Sequence, residues 1–217
     1  EELIDRIRTL RAMGVGVFMS CRPSNRQLIH GLGDSIKVNA QMLKVHAYEY
    51  SAWASAFSIS TSLDFYQLTQ GVPELVSAMQ SGLYGQGDVA QMFENEIVNI
   101  YGAALVDLAS LENNALFSVA CLMVLMGEGN ISELEACGVR LSAIDQSYLV
   151  RDYPIFGVDP ADRRFTCLGT EDNARLRLRK LVAEIRPELV VRAARILIKA
   201  GRCDTAMDLA DAFLDRS

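Results

Sequence analysis

Residues 186–215 read "RPELVVRAARILIKAGRCDTAMDLADAFLD". Apolar residues recur at helical spacing on both sides of Gly201, so the stretch is two amphipathic helices meeting at a glycine. Ala193, Ala194, Ala206 and Ala210 are small where two backbones must approach closely. A single helix pair of this kind cannot bury its own apolar face and must pack on something else. The rest of the chain has to supply that partner.

There is ample material for it. The chain has 217 residues, is 50% hydrophobic and carries a formal net charge of -6. Upstream, residues 172–199 are mostly helical and rich in arginine, with one basic cluster, "RLRLRK" (Arg175–Lys180). Arg175, Arg177, Arg179 and Lys180 are therefore the candidates for contact with a polyanion or an acidic partner. The competing reading is a solvated helix face balanced by Glu184 and Glu188.

Residues 115–170 carry a different pattern. A long apolar helix, Ala115–Met126, ends at "GEGN". At 12 residues it falls short of the ~20 that span a bilayer, so it reads as a buried helix, and no membrane association is expected. A short helix (Ser132–Gly138) follows, then a third helix, "RLSAIDQSYLVRDY". "PIFGVDPADRRFTCLG" then reads as two short strands around an Asp-Pro turn. Helix, short helix, helix and hairpin is the order of a winged helix. Four basic residues (Arg140, Arg151, Arg163, Arg164) face seven acidic ones (Glu128, Glu133, Glu135, Asp145, Asp152, Asp159, Asp162). DNA affinity rests mainly on neutralising phosphates, so this module is a poor DNA binder.

From Tyr48 to about Ser110 the pattern is helical. "EYSAWASAFSI" reads as one helix. "LDFYQLTQGVPELVSAMQSGL" reads as two short helices joined at Gly71–Pro73, and Asp88 reads as the N-cap of a longer one. At the N-terminus, Leu3–Met13 is a helix stopped by Gly14. "VGVFMS" (Val15–Ser20) and Ile36–Val45 read as two strands of a parallel sheet, with a loop between them. The expected fold is mainly α. It comprises a two-stranded α/β remnant (1–47), a helical subdomain (48–112), a winged helix (113–171) and the first helices of a TPR-like solenoid (172–217).

Taken in order, these features resemble the STAND class of signal-transduction ATPases, especially the large bacterial transcription activators of the maltose-regulator type. They are a strand ending in "SCRP", a second strand, "GVP", a winged-helix pattern and "RAARILIKAGRCDTAMDLA". The resemblance implies that Arg22 senses the terminal phosphate of a nucleotide and that Gly71 and Pro73 pack against the adenine. It implies ATP or ADP with Mg as the parent protein's cofactor, while the odd, unspaced cysteines point to reduced thiols in a cytoplasmic protein. The resemblance also implies DNA contact through a domain outside this chain, with other domains of the parent, or a second copy, as partners.

Two departures stand out. No GxxxxGK[ST] segment is present, and the glycine clusters "GLGDS", "GQGD" and "GEGN" lack its lysine, so nothing here cradles a triphosphate. Leu168 stands roughly where family members place a phosphate-contacting histidine, and leucine donates no hydrogen bond. The chain is therefore expected to hold no nucleotide and to be no enzyme. The missing initiator methionine fits a piece of a longer protein, and "EELIDRIRTL" is no secretory signal.

His30 and His46 have no context suggesting catalysis, and the five cysteines lack metal-ligand spacing and read as reduced thiols. The expected role is a signal-relay fragment of an ATP-dependent transcriptional regulator. The alternatives are a free-standing winged-helix DNA-binding factor and, more remotely, a helical enzyme.

Overall fold

A computed structural model describes residues 2–25, 32, 36–46, 48–49, 66, 68–84, 89–111, 114–169 and 172–214. Its helices are α1 (Glu2–Ala12), α2 (Pro73–Tyr84), α3 (Val89–Ala109), α4 (Asn114–Met126), α5 (Ile131–Ala136), α6 (Ala143–Asp152), α7 (Asp172–Ile185), α8 (Pro187–Lys199) and α9 (Cys203–Leu214). The strands are β1 (Glu128–Asn130), β2 (Phe156–Asp159) and β3 (Arg164–Cys167). The fold is mainly α with a small antiparallel sheet.

Helix α4 lies at the centre. It is apolar on every side, and Leu116 through Met126 are all buried, as an all-round hydrophobic helix requires. It packs against α3, α7 and α8, and more lightly against α5 and β3. The terminal pair α8 and α9 therefore has its partner: Leu189, Ala193, Leu197, Ala206 and Leu209 join the core cluster that begins at Val72. The two helices meet at Gly201, whose φ of 76° suits a residue without Cβ. Pro187 opens α8, where its missing N–H costs nothing.

The segment after α4 runs strand, helix, helix, hairpin, with sheet order β1-β3-β2. β3 pairs on both sides, Phe165 lying opposite Gly129 and Val158. The hairpin turns at Asp159, whose Oδ1 accepts the Ala161 N–H at 2.9 Å. Both short helices open on reciprocal caps. The Asn130 side chain accepts from Ser132 while Glu133 accepts the Asn130 N–H, and Ser142 and Asp145 do the same for α6. This is the element order of a winged helix, with β1 added between the first two helices.

The expected N-terminal strands do not form. Val15–Ser20 has no strand pairing, and Phe18 is 95% exposed. Residues 36–39 are irregular, and 40–43 form a 3₁₀ turn capped by the Asn39 side chain, which accepts the Met42 N–H. A parallel strand needs neighbours on its edges, and no described segment provides one. The 3₁₀ turn packs instead against α6. The helix expected over 49–59 beyond Glu49, the start of the 63–83 stretch up to Phe65, Asp88 and His30 lie outside the described residues.

Candidate functional site

Arg22 is exposed, in an irregular segment just before a 3₁₀ turn at Pro23–Asn25. Two residues on, Ser24 ties that segment to α3. Its backbone N–H donates to Asp107 Oδ2 at 3.2 Å, and its hydroxyl donates to Oδ1. Asp107 is buried, and the Tyr153 hydroxyl donates to the same Oδ2 at 2.5 Å. Tyr153 is the C-cap of α6. One buried carboxylate thus joins the Arg22 segment, the last turn of α3 and the end of α6. Its two oxygens are thus hydrogen-bonded, as buried polar groups require. Burial pushes the Tyr153 phenol well above its ordinary pKa, and the bond to Asp107 adds to the shift.

A second tie sits higher on α3. The buried Tyr101 hydroxyl lies 2.9 Å from the Leu168 carbonyl and 3.1 Å from that of Ile155, so it holds the base of the β2–β3 hairpin. The Leu168 side chain is buried in the core. At the position expected to face nucleotide in the resembled family, this chain places an apolar packing contact.

Gly71 is buried with φ 75°, and a Cβ built there would lie 2.0 Å from the Val45 carbonyl oxygen. The Val45 N–H donates to the Gly71 carbonyl at 2.8 Å. The glycine's close approach is therefore to backbone of the same chain. Pro73 is the first residue of α2, and Val72 between them is buried. Gly71 and Arg22 are attached at different levels of α3. Leu68 and Ile97 crowd Gly169 near the Gly71 junction, whereas Ser24 reaches Asp107, about 15 Å of helix rise further on.

The basic cluster divides. Arg179 is only 3% exposed: its Nε donates to the Leu125 carbonyl at 3.1 Å and its Nη1 to Asp208 at 3.2 Å. Arg202 donates to the Met126 and Glu128 carbonyls. The Arg175 guanidinium lies beside Gly127, about where a Cβ there would be in contact. Arg179 and Arg202 thus donate to the Leu125 and Met126 carbonyls at the negative end of the α4 dipole, carbonyls that helix geometry leaves open, with the Arg175 guanidinium close by. Arg177 is exposed and donates to Asn95 at 2.6 Å, while Lys180 is half-buried. The cluster therefore presents no continuous basic face.

Three of the four arginines between residues 128 and 167 stand beside acids, and the fourth, Arg140, is exposed. Arg151 is paired with Asp152, Arg163 with Glu135, and Arg164 lies 4.0 Å from Glu128. A depression of about 310 Å³ on α6 is lined by Ala143, Ile144, Ser147, Tyr148 and Arg151. Among the described residues no group of His, Cys, Asp and Glu could hold a metal ion, and no helix is long and apolar enough to cross a membrane.

Sequence reading missed Asp107, Ser24, Tyr101, Tyr153 and Arg202. Only Asp107 carried a signal, as a lone carboxylate within the apolar run "AALVDLASL". No family model, no curated protein and no solved structure matches the chain.

Proposed function

We propose that the chain is a signal-relay module of a nucleotide-dependent bacterial transcriptional regulator, cytoplasmic, working by domain rearrangement rather than by catalysis. The observation supporting this is the Asp107 junction. A shift of the Arg22 segment must break or move the Ser24–Asp107 bonds, and Asp107 is shared with Tyr153 at the end of α6. A buried, multiply bonded carboxylate has few intermediate arrangements, which is what a two-state element needs. In this reading Arg22, Gly71 and Pro73 lie on the side that reads the nucleotide. The phosphate grip and the operator contact belong to other domains of the parent.

The rival reading, a free-standing winged-helix DNA binder, has the element order in its favour and the paired arginines against it. Titrating fluorescent mixed-sequence duplex DNA with the purified chain at about 50 mM salt separates the two, because low salt favours any phosphate-driven binding. The relay reading predicts no binding at micromolar chain. Affinity that falls steeply with added salt would replace it with the rival. Calorimetric uptake of ATP with Mg would also count against it, by placing the nucleotide site within this chain.

A further inference from the structure

The outer face of the α8–α9 pair is both apolar and sharply divided in charge. Val191 and Ile198 on α8 are 45% and 58% exposed, and Met207 and Leu214 on α9 are each 65% exposed. Each pair is seven residues apart, so it forms one stripe along its helix. The core-facing sides of the two helices are already occupied by Leu189, Ala193, Leu197, Ala206 and Leu209. The exposed stripes are thus a second apolar face on the same pair.

The charges beside the stripes are segregated by helix. Exposed Arg195 and Lys199 stand on α8, whereas α9 carries exposed Asp204 and Asp211 and no basic residue at all. Arg192 adds to the basic side, with Glu188 the one acid on α8. A surface that is basic along one helix and acidic along its antiparallel neighbour is complementary to itself. A two-fold axis parallel to the helices sets α8 of one copy over α9 of the other. Each basic row then meets an acidic row, and the four apolar stripes meet between them. The result is a four-helix arrangement with a dry centre and a charged rim.

We infer that this face is a homodimer interface, with a second copy of the chain as its occupant. The charge pattern selects that occupant: an acidic partner would be repelled by α9 and a basic one by α8, while a second copy satisfies both rows at once.

Sedimentation velocity on the whole chain tests this. The wild type should show a concentration-dependent monomer–dimer equilibrium that weakens with salt. Arg195→Glu with Lys199→Glu should raise the dissociation constant about tenfold or more, as should Asp204→Lys with Asp211→Lys. An equimolar mixture of the two variants should regain dimers, since each acidic α8 then meets a basic α9. All four positions are exposed, so unchanged thermal midpoints will show that the variants fold. A wild type that is monomeric at about 100 µM, variants that dimerise like wild type, or a mixture that stays monomeric would each overturn the inference.

Discussion

The Tyr153 hydroxyl donates to Asp107 Oδ2 across 2.5 Å, and both groups are buried. Tyr153→Phe removes one donor from a buried carboxylate and should cost about 1–3 kcal/mol in urea unfolding. Asp107→Asn keeps the shape but weakens both the Tyr153 and Ser24 bonds, and should cost a similar amount. A cost below about 0.5 kcal/mol for both, the level of an ordinary surface change, would show that the junction contributes nothing.

Gly71 and Gly201 make a matched pair. Both have φ near 75°, but a Cβ at Gly71 meets the Val45 carbonyl while one at Gly201 meets nothing within 4 Å. Gly201→Ala should cost about 1 kcal/mol, the left-handed backbone penalty alone. Gly71→Ala should cost clearly more and should raise amide exchange at Val45, whose N–H bonds the Gly71 carbonyl. Equal costs would mean that the contact with Val45 is not held in solution.

Arg179→Ala removes a buried guanidinium from the Leu125 carbonyl and from Asp208. Unfolding free energy should drop by about 3 kcal/mol, as for other broken buried polar networks. Arg177→Ala, at an exposed position, should stay within about 0.5 kcal/mol. Similar losses for the two would contradict the division of the basic cluster into an inward and an outward part.

Alkaline pH should destabilise the fold. Burial pushes the Cys121 and Cys167 thiols up to about 12 and the Cys137 thiol to about 11. Unfolded thiols ionise near ~8.5, so above that pH the unfolded state holds fewer protons than the native state. Stability is therefore fully present below about pH 8.5 and falls as pH rises toward 11. Above about pH 10 the buried Tyr153 phenol adds to the slope, and Tyr153→Phe should remove that part. Thiol titration of the native chain should modify Cys21 and Cys203, which are exposed, ahead of the other three.

The helices were legible because their apolar spacing is strong. Met126 and Gly201 mark ends that the structure keeps, and Asp159–Pro160 marks the hairpin, whereas the break at Pro187 within the helical stretch 172–199 went unread. β1 was not legible: "EGN" has no strand propensity and pairs only because β3 offers it an edge. The two N-terminal strands were misread for a related reason. A short apolar run such as "VGVFMS" looks the same whether buried in a sheet or exposed as a connector, and only neighbours decide. In the candidate site, the basic cluster was visible as composition. Its inward turn was not, because the spacing of Arg175 and Arg179 says nothing about which carbonyls lie opposite. The Ser24–Asp107–Tyr153 junction joins residues 83 and 46 positions apart, and local patterns carry no trace of it.

A relay through the Asp107 junction requires Ser24 and Tyr153 to be energetically coupled, and a double-mutant cycle measures that coupling directly. Ser24→Ala, Tyr153→Phe and the double variant should give unfolding free energies that depart from additivity by about 0.5–3 kcal/mol, the range for groups sharing one network. Additivity within about 0.3 kcal/mol would mean that the two ends of the junction act independently, and a signal could not pass between them by this route.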